Sequence, residues 1–448
     1  MKVSMKILTR LATSSAALTS WLALAPTASL AQAAPPPHDR ASLVNPLIGT
    51  ANGGNVFPGA TAPFGMVQFS PEATPINAKR MIAAPGGYEI RATKIRGFSL
   101  TNVEGWGCAG GSGDVPLMPV TSPIDTSPSA DFRQSYSASF THADERAEPG
   151  SYQVKLSDGI EVQLAAGTRI GAATFRFPPA KNARVLVRTS DSEVGSTAAT
   201  THIDQAARTV SGSVTSGNFC GYIGTEDRRP YYTLHFVARF SRPITETGAW
   251  RDTTLTPGAI SAEGGTGFGP KGFPEAGHGS GVWLGFGQGG QIHEVRVQIG
   301  ISYVSEGNAL LNLNAEVKAG PITYEAVAAR TRSAWNRRLG QIETIGGTPD
   351  QQTVFTTALY HALQTPTTYS DANGEYRGMD GAVHKLAPGQ AASTPTSPAG
   401  TSTDRSCSSS PGSTPPSAAT SRRACSTSPS PTAADGIAGP TWAAPPTS

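Results

Sequence analysis

Residues 152–164 constrain the fold most. Tyr152, Val154 and Leu156 alternate with more polar neighbours, Asp158-Gly159 makes a turn, and Ile160, Val162 and Leu164 resume the alternation. Strand side chains point to opposite faces in turn, so a period of two marks a strand with one buried face. An Asp-Gly pair between two such runs signals a hairpin. Further runs of this kind are Phe175/Phe177, Val185/Val187, Leu234/Phe236/Ala238/Phe240 and Val295/Val297/Ile299/Ile301. Gly (50) and Pro (36) make up about a fifth of the 448 residues, which suits short strands joined by turns better than a helical bundle. The pattern predicts a mainly β fold, a large antiparallel β-sandwich over residues 41–305, with long glycine-rich loops at 216–227 and 263–280.

The period changes after about residue 320. Tyr324, Val327, Ala328, Thr331, Ala334, Trp335, Leu339 and Ile342 follow helical spacing. Thr348-Pro349-Asp350-Gln351 then reads as a helix start, with a capping Thr, Pro at the first helical position, an acid beside the dipole and Gln closing a capping box. Val354, Phe355, Ala358, Leu359, Ala362 and Leu363 give that helix its expected buried face. Residues 306–390 thus read as linker helices and the start of an α-helical domain that is cut off.

Lys2, Lys6 and Arg10 precede an apolar stretch at 11–30, and Ala31-Gln32-Ala33 fits a cleavage site. Residues 1–33 are therefore expected to be an export signal cleaved near Ala33, making the mature protein secreted or periplasmic. No later apolar run reaches the length of a membrane span. A net charge of +3 with no basic stripe argues against nucleic acid as a partner. At the other end, 45 of the 58 residues in 391–448 are Ser, Thr, Pro or Ala, and Ile437 is the only aliphatic residue larger than Ala. Such a tail is expected to be disordered.

One reading of the tail is a secreted-enzyme linker; the sharper one is a frameshift. Of its 58 codons, 55 are compatible with C or G at the second base, as in a GC-rich gene read out of register. Shifted back by one base, Thr394 to Asp404 can read Tyr-Thr-Asn-Phe-Ser-Gly-Trp-Asp-Ile-Tyr-Arg, an aromatic-rich and foldable sequence.

Two segments carry candidate chemistry. Residues 44–66 are rich in Gly and Pro and read either as a structural wrap on the sheet or as part of a site. Residues 95–114 lead a strand into a glycine-dense loop bearing Asn102, Glu104, Trp106 and Asp114. An aromatic face with short polar groups holds sugars by stacking and by hydrogen bonds to hydroxyls. Cys108 and Cys220 either pair or stay free, while Cys407 and Cys425 fall in the tail. His235 and His293 read as ordinary strand residues, and Asp371-Ala372-Asn373-Gly374 as a turn, not a metal loop; Asp380 is likewise not promoted to a catalytic role.

V-N-P-L-I-G-T, F-P-G-A-T-A-P-F-G-M-V-Q-F-S-P, G-F-S-L-T-N-V-E-G-W-G-C, G-D-V-P-L-M-P, G-N-F-C-G, I-G-I-S-Y-V-S, A-L-Y-H-A-L and Y-S-D-A-N-G-E-Y-R-G-M-D occur in that order. Together they resemble the blocks of glycoside hydrolase family 92, calcium-dependent exo-acting α-mannosidases, over about residues 42–390. The back-shifted tail resembles the family's next block. The resemblance implies a β-sandwich followed by an (α/α)6 barrel, truncated here, with the active site between them. It implies inverting hydrolysis of terminal α-mannose, with a Glu general acid, a carboxylate base, and Ca²⁺ to bind and distort the sugar. Mannose-containing glycans are the implied partners, with α-1,2 linkages the expected preference.

By resemblance, Asn102, Glu104, Trp106 and Cys108 face the substrate, with Trp106 stacking and Glu104 meeting a hydroxyl, and Phe64 and Gly65 lie at the same rim. The family's acid, base and calcium ligands fall beyond residue 391, so this chain is expected to be inactive and to bind no calcium. The alternatives are a non-catalytic carbohydrate-binding sandwich and a fragment that does not fold stably.

Overall fold

Asp158-Gly159 turns the chain as the sequence predicts. Gly159 sits at φ +89°, where a Cβ is strained, and Tyr152 pairs with Leu164 and Val154 with Val162 across the hairpin. This computed structural model describes residues 39–73, 85–105, 112–131, 134–179, 181–193, 195–217, 231–267, 276–287, 292–320, 322–378, 380–387 and 390. The expected export signal at 1–33, Trp106, Cys108, Cys220, most of the 216–227 loop, part of the 263–280 loop and the tail 391–448 lie outside them.

Two nine-stranded antiparallel sheets dominate. In the first, Ala60–Thr61, Gln68–Ala73, Lys94–Ser99, Leu117–Val120, Ala183–Val187, Ser280–Phe286, Glu246–Arg251 and Thr254–Pro257 lie side by side, and Ala138–Ser139 pairs off Lys94–Ser99. In the second the order is Ser261–Glu263, Ala198–Asp204, Thr209–Ser216, Tyr232–Phe240, Glu294–Ser302, Ile170–Arg176, Glu161–Ala166, Ser151–Lys155 and Glu145–Glu148. One apolar core joins them, with Phe69, Phe98, Val185 and Trp283 on one side and Val162, Phe175, Phe236 and Val297 on the other. The mainly β sandwich is the one the alternation predicts. His235 lies on Tyr232–Phe240, half-buried, and burial lowers its pKa.

Three helices follow among the described residues: α1 (Glu306–Ala319), α2 (Tyr324–Leu339) and α3 (Pro349–Ala362). The sequence reading missed α1. Its buried face mixes Ala309 and Leu313 with Asn308 and Asn312, while Leu310, Leu311 and Val317 are exposed, so the apolar rhythm is broken. Gly300 permits its close approach, because a Cβ there would fall 2.2 Å from the Ala309 carbonyl oxygen. Residues 371–374 do form a turn, closed by the Gly374 N–H on the Asp371 carbonyl at 2.9 Å. Asp371 does more: its buried carboxylate accepts from Ser302 Oγ (2.7 Å), Asn308 Nδ2 (2.8 Å) and Asn312 Nδ2 (2.7 Å), fixing α1 to the sheet.

α2 buries Tyr324, Val327, Thr331, Trp335 and Leu339 as its spacing predicts, but Ile342 lies past its end and is 49% exposed. The Thr348–Gln351 capping box starts α3 as predicted. Its buried face differs from the expected one: Thr356, Thr357 and Tyr360 face inward, whereas Val354 (56%) and Phe355 (41%) are exposed. Two contacts turn the helix this way. Tyr360 packs on Trp335 with ring centroids 4.4 Å apart, and Thr357 Oγ1 accepts the Asn45 N–H at 3.0 Å.

Candidate functional site at the C-terminal turn of α3

The two segments singled out by sequence meet at the end of α3. Phe64 donates its N–H to the Leu363 carbonyl (3.0 Å) and accepts from the Thr368 N–H (2.7 Å). Its φ of +53° is a region that bulky side chains rarely adopt, at a cost of about 1–3 kcal/mol. Arg338 of α2 sits 5.6 Å over its ring. Gln68 links Gly65 to Asn102: Gln68 Nε2 donates to the Gly65 carbonyl (2.7 Å), and Gln68 Oε1 accepts the Asn102 N–H (3.3 Å). Asn102 Nδ2 donates to Ser99 Oγ (3.0 Å) and to the Gln68 carbonyl (3.2 Å).

Glu104 lies beside α3, with Oε1 2.5 Å from His361 Nδ1 and Oε2 3.5 Å from the Phe57 N–H. Burial raises its pKa, and His361 opposes that shift. Thus Phe64, Gly65, Asn102 and Glu104 are brought to one junction. Sequence reasoning missed the positions that join them, Gln68 and His361. A lone His in the last turn of a helix names no partner until the fold is known.

Behind this junction runs a buried polar network. Ser99 Oγ donates to Glu72 Oε1 (2.5 Å), Arg96 lies 3.5 Å from Glu72 and 3.4 Å from Asp191, and Arg188 Nε donates to Asp191 Oδ2 (2.7 Å). Asp114 Oδ2 accepts from Thr101 Oγ1 (2.7 Å) and the Tyr232 hydroxyl (2.6 Å). Burial pushes the Asp114 carboxyl up to about 6. It raises Glu72 strongly as well, reinforced by the neighbouring Glu193. Charged residues inside or directly after otherwise apolar strands, as Arg188 after Val185–Val187, are the sequence signal that was available for this network. Among the described residues, no group of three or more His, Cys, Asp or Glu is placed to hold a metal ion.

The fold and junction define a two-sheet sandwich whose polar first-sheet side meets the C-terminal turn of α3. Residues 43–302 match the glycosyl hydrolase family 92 N-terminal domain, and residues 308–394 match the family 92 catalytic domain. The chain belongs to glycosyl hydrolase family 92. It is 26% identical over 344 residues to an uncharacterized secreted glycosidase of Arthroderma benhamiae, covering 74% of this chain and 42% of that protein. A family GH92 α-mannosidase of Bacteroides thetaiotaomicron superposes with a TM-score of 0.66 at 26% identity, covering 80% of this chain and 45% of the other. The GH92 glycosyl hydrolase ccman5 gives 0.66 at 28% identity, covering 79% and 45%. The chain spans less than half the length of each of these relatives. Among the described residues, no helix is long and apolar enough to cross a membrane.

Proposed function

We propose that this chain is the sandwich lobe and first helices of a secreted, exo-acting α-mannosidase that removes terminal α-mannose, preferentially α-1,2-linked, from glycans with inversion. Phe64, Gly65, Asn102 and Glu104 form one wall of its sugar site; Trp106 and Cys108, expected there from the resemblance, lie outside the described residues. The observation that carries this reading is their convergence on α3, at the junction of the segments matching the two family 92 domains. By the resemblance, the general acid, general base and calcium ligands belong to the opposite wall, beyond residue 391, in the reading frame that the shift before residue 394 leaves. In the intact enzyme, calcium would bind and distort the mannose.

The test has two arms. Incubated with α-1,2-mannobiose and Ca²⁺, the 448-residue chain is expected to release no mannose. A gene with the frame shifted back by one base before codon 394 and read to its next stop is expected to encode a mannose-releasing enzyme. No turnover by that restored protein would overturn the reading. Turnover by the chain as it stands would overturn its inactivity.

A further inference from the structure

His361 is gripped from two sides at the seam between sandwich and helices. Its Nε2 lies 3.0 Å from the Ile48 carbonyl oxygen, and its Nδ1 lies 2.5 Å from Glu104 Oε1. A carbonyl oxygen only accepts, so Nε2 carries a hydrogen. A neutral imidazole then offers Glu104 only a lone pair, and among the described residues neither Nδ1 nor Oε1 has a donor to answer it. Two acceptors at this separation repel. One further proton must lie between them. The side chains are only 5% (Glu104) and 15% (His361) exposed, so water does little to screen the contact.

We propose that Glu104 and His361 hold a single shared proton and form a protonation-dependent latch between the sandwich and α3, in which His361 is the positioning residue for the 102–105 segment. Loss of the proton to solvent leaves an ionised Glu104 facing the Nδ1 lone pair of a neutral His361, and the latch opens. Glu104 belongs to the segment matching the N-terminal domain and His361 to that matching the catalytic domain, so the latch spans the lobes. Its consequence for sugar binding rests on the function proposed above; the latch itself does not.

Among the described residues, groups from two elements face the pair. From α3 comes Tyr360, whose ring centroid lies 5.3 Å from that of His361. Burial, then Glu104, raises its hydroxyl pKa far out of the working range. From the N-terminal segment come backbone groups, the Ile48 carbonyl and the Phe57 N–H. Burial raises the pKa of Glu104, which gives the same sign as the latch: its stabilisation is present at low pH and lost as pH rises.

Thermal midpoints of the full chain, measured at pH 5.5, 7 and 8.5 for wild type and Glu104→Gln, test this. The Gln amide donates to Nδ1 of a neutral His361 and closes the latch without a proton. Wild type is therefore expected to lose about 2 °C relative to Glu104→Gln between the lowest and highest pH. Titrating groups elsewhere cancel in this difference. Ring-nitrogen NMR of ¹⁵N-histidine-labelled chain, assigned by His361→Gln, is expected to show Nε2 protonated throughout. A flat difference profile, or an Nδ1–H tautomer, overturns the proposal. Failure to bind or cleave mannosides bears on the proposed function alone and leaves these readouts intact.

Discussion

The two sheets differ in what lies on their outer faces. At the Ala198–Asp204 and Thr209–Ser216 end of the second sheet, buried residues alternate with exposed or half-buried ones, because water reaches the outer side there, whereas α1 and α2 cover the outer side of Ile170–Arg176. In the first, every residue of Gln68–Ala73, Leu117–Val120 and Ser280–Phe286 is buried. Phe69 points inward against Gly171 of the facing sheet, so Gln68, Ser70 and Glu72 share the opposite, covered face. A sheet covered on both sides must satisfy polar groups without water. It does so here with ion pairs, hydroxyls and backbone carbonyls, and the candidate site grows out of that face. The second sheet, open to water at one end and covered by α1 and α2 at the other, contributes core and frame.

This contrast predicts its largest effect at Arg188. Its buried guanidinium pairs with Asp191 and donates to the buried Pro128 (3.3 Å) and half-buried Ser135 (3.0 Å) carbonyls. Arg188→Ala leaves Asp191 with one fewer positive partner in a dry environment, and is expected to cost about 3–5 kcal/mol in urea unfolding at neutral pH. A loss under about 1 kcal/mol would mean that water reaches this face and that the two sheets are alike.

A somewhat smaller effect is expected from pH. Asp114 titrates at about 6 in the fold against an ordinary 3.8, because burial penalises its charge. The folded state binds the proton more tightly, so stability present below the ordinary value is lost as pH rises through about 6. The loss from this group approaches about 3 kcal/mol by neutral pH. Asp114→Asn, which keeps an acceptor for Thr101 and Tyr232, is expected to flatten that part of the stability profile between pH 4 and 7. An unchanged slope would assign the dependence to Glu72 or Glu104, whose pKa values burial also raises.

The same contrast explains what the sequence revealed. The hairpin through Asp158-Gly159, the strand Glu294–Ser302 and the capping box at Thr348 were legible because each is a local pattern imposed by water or by backbone geometry. Candidate residues Phe64, Gly65, Asn102 and Glu104 were legible as motifs, but Gln68 and His361, which join them, were not, since hydrogen bonds between residues as far apart as 48 and 361 leave no periodic trace. The outer face of α3 misled for a related reason. Val354 and Phe355 read as core, yet Trp335 and Asn45 anchor the opposite side of the helix.

The smallest expected effect lies on the solvated end of the second sheet and is the control for the others. Thr200 Oγ1 and Ser213 Oγ are 3.0 Å apart across the ladder, both on the exposed face. Their hydroxyls trade one hydrogen bond for water on either side of the unfolding equilibrium, so the net term is small. Thr200→Ala removes that bond and a methyl group that packs on little, while the backbone pairing to Ser213 and Glu263 is retained. Unfolding at neutral pH is expected to shift by no more than about 0.5 kcal/mol. A loss comparable to that of Arg188→Ala would show that this face is covered too, and the asymmetry that places the site on the first sheet would fall.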